Sequence, residues 1–516
     1  MTAWRARALL LSLAAPLFGA MAVSGQGPVA TGFTIAENLG LDAVDTGALT
    51  GEGRTTNIDG SRARGSLATA LASDTRVGSR SGLPYMRGKI IVKYRDRSDF
   101  DVIPIDPNAD SEAMAAAFSA RSDVEYAQAA YLNHPMFVPN DTYYKQLQWN
   151  LPLIDMEKAW DIQPNAGESI VVAVIDTGVA FMNAAIRTNI LPFRNENGVL
   201  YPPIPNAAIP YAAAPQLGSS DRFVAPRDFV NNTNTPLDFD GHGTHVSGTI
   251  GQLTNDGIGT AGVAFDVKLM PLKVLCSDWD ALFGTPVARC GTDDSLALAI
   301  RYAADNGAKI INMSLGRIGS ANCATNRNAF GCAPAVEDAM NYAVSKGVFI
   351  AVAAGNEFTD GNPTITPAEI ASRIKGAVSV GAVDQFKNHA PYSSGGSWLE
   401  LAAPGGSGSG RDDLAYVWQQ TFNPDFTDTF DLPVSRYTAP RFDMMAYVAY
   451  AGTSMAAPHV AGLAAMLMHQ GITSPAAVED ALENTAIDLG RPGRDELFGF
   501  GLIDARNALF GRGVAR

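Results

Sequence analysis

Short apolar runs alternate with helical segments through the C-terminal two thirds of the chain. Five runs are apolar enough to be strands buried on both faces: Ser169–Asp176, Val267–Leu275, Ala308–Leu315, Gly347–Gly355 and Gly376–Val383. Between them, residues 293–307 and 334–347 show helical spacing, with Asp293 or Asp294 as the N-cap of the first helix and Gly307 as its end. This rhythm predicts a three-layer α/β/α fold with a mostly parallel central sheet.

Two shorter regions precede the main domain, which we place at residues 136–516. Residues 85–135 indicate a small α+β unit, with elements at Gly88–Arg97 (strand), Asp110–Ala120 (helix) and Val124–Leu132 (strand). Residues 23–84 are rich in Gly, Ser, Thr, Ala and Asp without periodicity, which predicts a poorly ordered leader. The segment His134–Trp149 is punctuated by Pro and Asn and indicates a linker or arm.

Residues 1–22 have the layout of a secretory signal peptide. Arg5 and Arg7 precede the apolar run "LLLSLAAPLFGAMAV", and Ala20-Met21-Ala22 provides a small-x-small cleavage site. The run is short for a membrane span, and an anchored N-terminal helix is the alternative. No later stretch indicates a transmembrane helix. We therefore expect a secreted protein, extracellular or periplasmic, with no membrane contact after signal removal.

Composition and charge narrow the function classes. The 516 residues are 47% hydrophobic and 17% charged, which is typical of a globular protein. The formal net charge of −14 argues against a nucleic-acid partner, which requires a basic face. The cysteines form two local pairs, Cys276 with Cys290 and Cys323 with Cys332. Three connectivities are possible; we expect a disulfide within each pair, and the lack of a close CxxC disfavours zinc.

Polar residues follow the apolar runs where the strands end. Asp176 ends the first strand, Ser314 lies at the end of the third, and Asn356 follows the fourth. Functional groups in parallel α/β sheets gather at the carboxyl ends of the strands, so these positions share one edge. Two further motifs contribute His242, in "DGHGTHVSGTI", and Ser454, in "GTSMAAPHVAG".

These residue types supply what a serine nucleophile needs. Histidine can take the hydroxyl proton, a buried carboxylate can orient the imidazole, and an amide with a backbone N–H can stabilise an oxyanion. Each residue alone has an ordinary alternative, such as a turn for Asp176 or a helix N-cap for Ser454. His242 and His245 also have the spacing of metal ligands, but the run lacks the His-Glu-x-x-His pattern of zinc proteases.

Together the motifs resemble those of the subtilisin-like serine proteases, the subtilase family. The segments "VIDTGV", "GHGTHVSGT", "AAGNE" and "GTSMAAPHVAG" are similar to the aspartate, histidine, oxyanion-asparagine and serine motifs of that family, in the same chain order. The resemblance covers roughly residues 150–510. It implies a subtilisin-like fold and a monomeric serine endopeptidase that cleaves proteins and peptides without an organic cofactor.

The resemblance also implies roles for single residues. Ser454 would be the nucleophile, His242 the general base and acid, Asp176 the residue that orients the histidine, and Asn356 the oxyanion donor. His245 matches a second histidine of the family that is usually structural, and we interpret His459 as a packing or polar-network residue.

The substrate of this family lies extended between two backbone edges. By resemblance these are Ser314, Leu315 and Gly316 on one side and Ala353, Ala354 and Gly355 on the other. These residues are uncharged, so they would select neither a basic nor an acidic side chain. We expect broad specificity with a preference for large apolar or aromatic residues at P1, the residue on the N-terminal side of the cleaved bond.

The loop Leu253–Gly262 resembles a calcium-binding loop of the family, which implies a structural calcium. The ligands would be Asp141 from the arm, Asp256, and the carbonyls of Leu253, Ile258 and Thr260. A further ligand of the family would fall near Asn231, where this chain departs from the acidic residue often seen. A glycine-rich turn without metal is the alternative.

By the same resemblance, residues 85–135 are an inhibitory pro-segment that assists folding and blocks the cleft. It would be removed by self-processing near Asn133–Val138. Two insertions depart from a compact subtilase, at about residues 180–227 and 407–445. Surface decoration is the default interpretation of such insertions.

Two other function classes predict different features. A lipase or esterase would carry Gly-x-Ser-x-Gly, whereas Ala456 stands where the second glycine would be, and Asp176 and His242 precede the serine. A binding module on an inactive protease scaffold would lack a member of the triad, and all members are present.

Overall fold

The fold is described by a computed structural model that covers residues 77–78, 85–132, 137–195, 197–409 and 413–510. The predicted signal peptide and most of the predicted leader lie outside these residues. Residues 133–136, at the predicted processing junction, also lie outside them.

Residues 85–132 form a small antiparallel sheet with one helix. Its strands are Tyr85–Tyr94, Phe100–Pro104 and Val124–Tyr131, with Val77–Gly78 paired to the first, and its helix is Ser111–Ser119. Its own core contains Ile90, Val92, Ala115 and Val124. The strand Phe100–Pro104 was not predicted from the sequence, because none of its residues is fully buried and no apolar run marks it.

The main domain is a three-layer α/β/α structure around a seven-stranded sheet, as predicted. In spatial order the strands are Arg227–Asp228, Lys268–Lys273, Val171–Asp176, Ile310–Met313, Phe349–Ala353, Ala377–Val383 and Leu401–Pro404. Every neighbouring pair is parallel. The five inner strands lie within the five predicted runs. The two edge strands were missed, because one is a polar dipeptide and the other is short and ends in proline.

Alternate side chains of the inner strands enter two separate cores. In one strand, Val172 and Val174 belong to the first core, whereas Ala173 and Ile175 belong to the second. The first core contains the histidine helix (His242–Gly251) and the serine helix (Thr453–His469); the second contains the helices Asp293–Asp305 and Pro334–Ser345. Apolar contacts on both faces explain why these strands read as continuous apolar runs.

The N-cap predicted for the helix Asp293–Asp305 was wrong by one or two residues. Its N-cap is Thr292, so Asp293 and Asp294 lie in its first turn, where carboxylates interact favourably with the helix dipole. The remaining helices are Tyr144–Leu147, Asn150–Leu153, Met156–Ile162, Asp278–Leu282, Ala368–Ala371, Pro424–Thr427, Pro475–Thr485 and Ala505–Leu509.

Both expected disulfides are present. The Cα atoms of Cys276 and Cys290 are 5.3 Å apart and those of Cys323 and Cys332 are 5.5 Å apart, and no cysteine remains free. Each disulfide closes a loop that follows a strand of the central sheet. Across the described ranges, we find no helix with the length and apolar character that crossing a membrane requires.

The two insertions pack against each other rather than lying separately on the surface. The first contains the strand pairs Ala184–Ile190 with Ile204–Tyr211 and Phe193–Arg194 with Leu200–Tyr201. The second contains the strand Val417–Phe422, which pairs with the strand Met445–Tyr450 at its end. The Phe442 N–H donates to the Pro210 carbonyl at 2.9 Å, and the Phe442 carbonyl accepts from the Ala212 N–H at 3.1 Å. Backbone pairing therefore joins the insertions.

Candidate active site

Asp176 and His242 are in direct contact. Asp176 is the last residue of its strand and is fully buried, and its Oδ1 lies 2.7 Å from His242 Nδ1. The same oxygen accepts the N–H of Thr177 at 2.7 Å. His242 is the first residue of the histidine helix. Its side chain is 25% exposed, so solvent can reach the ring.

A second buried carboxylate, Asp238, holds the turn that carries His242. Its Oδ1 accepts from Asp240 N, Gly241 N and Thr177 Oγ1, and its Oδ2 accepts from Thr244 N and Thr244 Oγ1. One side chain thereby links the residue after Asp176 to both sides of His242. Asp238 was not predicted from the sequence, although its position four residues before His242 was an available signal.

The carboxylates around His242 raise its pKa. Burial by itself lowers the pKa of His242, but the adjacent Asp176 carboxylate, together with Asp240 and Asp238, outweighs burial and raises the pKa to about 9. This environment stabilises the imidazolium, which is the form that a histidine takes when it accepts a proton from a nucleophile.

A buried ion pair fixes the chain on the other side of Asp176. Lys273 and Asp280 each have a side chain that is only 1% exposed, and Lys273 Nζ lies 3.0 Å from Asp280 Oδ2. Lys273 also donates to the Thr177 carbonyl at 2.6 Å and lies beside Asp176 in the sheet register. The helix that carries Asp280 lies inside the loop closed by the Cys276–Cys290 disulfide. This ion pair was not predicted from the sequence.

Ser454 is the second residue of the serine helix, and the helix N-cap is Gly452. Within the described chain, its hydroxyl donates to the Ser314 carbonyl at 3.3 Å rather than to His242. Pro458 has no N–H to donate to the Ser454 carbonyl four residues earlier, and Ser314 Oγ donates to that carbonyl instead, at 2.8 Å. Because Pro458 leaves the Ser454 carbonyl free, a hydrogen bond from Ser314 joins the serine helix to the end of the strand Ile310–Met313.

Asn356 is oriented by the residue that precedes the serine. Its Oδ1 accepts both the N–H of Thr453 at 2.9 Å and the Thr453 hydroxyl at 3.0 Å. With the oxygen engaged, the side-chain NH2 group is the end of the amide that remains to donate toward a ligand at the serine. The N–H of Ser454 also lies in the first turn of a helix, where backbone donors have no intrahelical acceptor.

His245 on the histidine helix and His459 on the serine helix are both buried and held by backbone carbonyls. His245 Nε2 pairs with the Val448 carbonyl at 3.1 Å, and its ring stacks on Tyr450. His459 pairs with the Met455 carbonyl and with Asn150 Nδ2, both at 2.8 Å. Burial lowers the pKa of His245 to about 3 and that of His459 to about 4, which keeps both rings neutral.

The arm that contains Asp141 lies against the predicted metal loop. Asp141 is 4% exposed, and its Oδ2 accepts the N–H of Asn255 at 2.7 Å, whereas its Oδ1 is buried without a hydrogen-bond donor. Burial, assisted by the charge of Asp256, raises the pKa of Asp141 to about 6. A buried oxygen of this kind is a free position for a cation.

Gln216, from the first insertion, adds an oxygen that the sequence analysis missed. Its Nε2 donates to Asp256 Oδ2 at 3.1 Å, and its buried Oε1 has no donor. Asn231, near which a ligand was expected, instead donates to Asp228 at 3.1 Å. Two buried oxygens without donors, both on residues that interact with Asp256, fit a calcium ion, which binds oxygen ligands.

The predicted backbone ligands of this loop differ in their present contacts. The Thr260 carbonyl already accepts Gln252 Nε2 at 2.6 Å, which leaves one lone pair for a metal. The Leu253 N–H donates to the Gln216 carbonyl at 2.8 Å, and the Ile258 N–H donates to Asp256 Oδ1 at 2.9 Å. These bonds hold the loop and Gln216 together.

A second group of carboxylates lies at the far edge of the sheet. Ligand atoms of Glu400, Glu479 and Glu483 lie within 4.8 Å of one another. Lys375 Nζ lies 2.9 Å from Glu479 Oε1 and 3.4 Å from Glu483 Oε2. We interpret this group as an ion-pair network, because the ammonium group already supplies positive charge. Burial raises the pKa of Glu400 to about 8.

The joined insertions also contact the turn that carries His242. The Tyr211 hydroxyl of the first insertion accepts the N–H of Asp238 at 3.0 Å. Thr421, at the base of the second, donates to the Gly241 carbonyl at 2.6 Å. The rings of Tyr211 and Phe442 both pack on Phe239, with centroids 5.8 and 5.2 Å away. These insertions therefore support the site in addition to covering the surface.

Comparison with known proteins agrees with this geometry. The model of the subtilase family, peptidase S8, matches residues 167–501. The chain is 32% identical to a thermophilic serine proteinase of Bacillus sp. (strain AK1), over 80% of this chain and 79% of that protein. It is 30% identical to thermitase of Thermoactinomyces vulgaris, over 68% and 92%. A solved protease of Pseudoalteromonas arctica superposes with a TM-score of 0.52 at 26% identity, over 72% and 99%.

The carboxylates around His242 predict an alkaline titration. We expect the His242 ring to lose its proton near pH 9 in an NMR titration, well above the ordinary midpoint of about 6.5. Asp240→Asn removes one of the charges that raise the pKa, so the midpoint should fall. Asp278→Asn, at an exposed position on another element, is the control and should leave it unchanged. A wild-type midpoint at or below 6.5 would contradict this account.

The Tyr211 hydroxyl predicts a cost in stability when it is removed. Tyr211→Phe leaves the buried Asp238 N–H without an acceptor, and we expect the free energy of unfolding to fall by about 1–3 kcal/mol. Tyr437→Phe is the matched control, because the buried Tyr437 hydroxyl has no hydrogen-bond partner. Denaturant unfolding measures both variants. Equal losses would show that the Tyr211 hydrogen bond is not the cause.

Proposed function

The chain belongs to the subtilase family of serine peptidases, and from that premise we propose that Asp176, His242 and Ser454 are its catalytic triad. The contact of a fully buried carboxylate with His242 Nδ1 at 2.7 Å is the observation that carries the proposal. In the neutral ring, which predominates above the pKa of about 9, it fixes the tautomer in which Nδ1 holds the proton and leaves Nε2 as the base. Asn356 is the proposed oxyanion donor.

Each residue has a defined step in peptide hydrolysis. His242 takes the proton of the Ser454 hydroxyl as that oxygen attacks the carbonyl carbon of the peptide bond. The oxyanion accepts from the Asn356 amide and the Ser454 N–H. His242 then gives its proton to the leaving amine, and water repeats the cycle on the acyl-enzyme. Asp176 keeps the imidazole oriented and stabilises its charged form.

In this proposal the Ser454 hydroxyl turns toward His242 before it reacts. In the free protein it rests on the Ser314 carbonyl, and a rotation about its Cα–Cβ bond redirects the oxygen. Hydrogen bonds at catalytic sites are often long or misaligned before substrate binds, so this arrangement is compatible with a nucleophile.

The proposed substrate is an extended stretch of protein that pairs with Ser314–Gly316 and Ala353–Gly355. Pairing with backbone edges is insensitive to most side chains, which favours a broad endopeptidase. The uncharged edges favour an apolar residue at P1. The size of that residue depends on what lies between the edges.

We place export and maturation in the same proposal. The N-terminal pattern of residues 1–22 and the two disulfides support secretion. The unit at residues 85–135, whose described part has a core of its own, is the proposed pro-segment and intramolecular inhibitor. The mature enzyme would begin near residue 136, after self-processing, and act as a monomer.

The proposed structural calcium would be held by the oxygens of Asp141, Gln216 and Asp256, with backbone carbonyls of the loop 253–260. Bound there, the ion would neutralise the two carboxylates and join the arm, the first insertion and the loop after the histidine helix. Its role is stability rather than chemistry, because the loop does not include the residues proposed for catalysis.

Self-processing tests the triad. We expect wild-type precursor to lose its N-terminal segment, with a new terminus near Asn133–Val138 in the mass spectrum, and to hydrolyse casein. Ser454→Ala should remain full length and lose activity by more than about 10⁴-fold, because the triad acts as a unit. Ser474→Ala, at an exposed serine, is the control. Normal maturation and activity of Ser454→Ala would refute the proposal.

The proposed calcium site predicts a metal-dependent melting temperature. Calcium at about 100 times its Kd should stabilise the wild type by about 2.7 kcal/mol, and a chelator should reverse the effect. The response should weaken below pH 6, where Asp141 binds a proton. Asp141→Asn should abolish it, whereas Asp360→Asn, at an exposed carboxylate outside the loop, should retain it. A wild type that is indifferent to calcium would exclude the site.

A further inference from the structure

The two proposed substrate edges follow neighbouring strands of the central sheet. The strands that lead into them are parallel neighbours, and Met313 lies opposite Val352 in their register. Beyond this pair the first chain leaves the sheet as Ser314–Gly316, whereas Ala353 is still paired with Val380 and the second chain leaves as Ala354–Gly355. The depth of any space between the two segments depends on the side chain that lies beneath them.

The P1 side chain must enter the space between the two edges. Ser454 contacts the first edge through the Ser314 carbonyl, and Asn356 directly follows the second edge. If Ser454 attacks and Asn356 binds the oxyanion, as proposed above, the scissile carbonyl lies between them. The Cα of P1 is bonded to that carbonyl, so its side chain points between the edges. The present inference rests on that proposed function.

Ile365 already occupies this space. A Cβ on Gly316 would lie 2.8 Å from Ile365 Cγ2, and a Cβ on Gly355 would lie 2.6 Å from Ile365 Cγ1. Favourable contacts between carbon atoms are about 3.5–4.0 Å, so both positions are closed to any side chain. The two branches of one isoleucine therefore touch both edges, and the side chain spans the space between them.

The position of Ile365 changes the expected size of P1. The sequence predicted a large apolar or aromatic P1 from the uncharged residues of the two edges. The structure shows that the room between the edges is filled from within the chain, by Ile365. We therefore revise the expected size of P1.

Ile365 is held in place by its surroundings. It is 1% exposed, belongs to the second core, and lies opposite Ile318 in a short antiparallel pair. The neighbouring Thr364 carbonyl accepts the N–H of Gly319 at 2.8 Å. Isoleucine is stiff at χ1 because it is β-branched, so its side chain cannot swing aside to admit a ring.

We propose that Ile365 closes the P1 pocket and restricts P1 to small side chains such as Ala, Ser or Val. The preferred substrates are proteins whose extended segments are rich in small apolar residues. Ile365 takes no part in the chemical step and acts only by occupying space that a large P1 side chain would need. It therefore determines the relative kcat/KM of substrates that differ at P1.

Peptide p-nitroanilides that differ only at P1 test this inference. We expect the wild type to have a kcat/KM at least about 10-fold higher for P1 Ala than for P1 Phe, since a few methylene groups in a pocket discriminate by such factors. Ile365→Ala should raise kcat/KM for Phe relative to Ala by at least about 10-fold. Ile365→Val should shift the ranking in the same direction by less.

A matched control separates pocket volume from core damage. Ile370→Ala removes the same atoms from an isoleucine that is also 1% exposed and in the same core, but outside the edges. It should lower the melting temperature without changing the P1 ranking. If Ile365→Ala does not fold, the wild-type ranking and Ile365→Val still decide the question.

The outcomes for the inference and for the proposed function are distinct. A wild type that cleaves casein but prefers Phe at P1 overturns the role of Ile365 and leaves the peptidase intact. An Ile365→Ala protein that is folded and active with an unchanged ranking also overturns it. A wild type without activity toward casein or any of the peptides refutes the proposed function itself.

Discussion

The buried carboxylate of Asp176 is the constraint around which the site is organised. An unpaired buried charge is costly, and here it is compensated by His242 and by the N–H of Thr177. Its strand must therefore end where the histidine helix begins. Asp238 and Lys273 meet this requirement from two sides, because both bind Thr177, the residue that follows the carboxylate. The position of His242 is thus specified by a network of buried polar contacts.

Ser454 is positioned by a separate set of hydrogen bonds at the start of the serine helix. Pro458 frees a helix carbonyl, Ser314 binds it, and Thr453 orients Asn356. The serine helix is buried along almost its whole length, so its first turn is rigid. Two independent scaffolds therefore meet at the edge of the sheet, one carrying the proposed base and the other the proposed nucleophile and oxyanion donor.

The inner strands and the four motifs could be predicted because their signals are local. A strand buried on both faces must be apolar, and a motif with a catalytic role keeps its residues close in sequence. The edge strand Arg227–Asp228 has no such signal, since its pairing depends on a distant neighbour. Gln216 and Ile365 were missed for the same reason. Each acquires its role only when a segment far away in sequence packs against it, so single-sequence patterns do not reveal them.

The backbone pairing between the two insertions has an evolutionary consequence. Pro210 and Ala212 lie more than two hundred residues before Phe442, yet each bonds to the same residue of the other insertion. Replacing one insertion alone would expose an apolar face and leave backbone groups unpaired beside the turn of the histidine. We therefore expect the two insertions to be gained, lost or exchanged together during evolution, although they are far apart in the sequence.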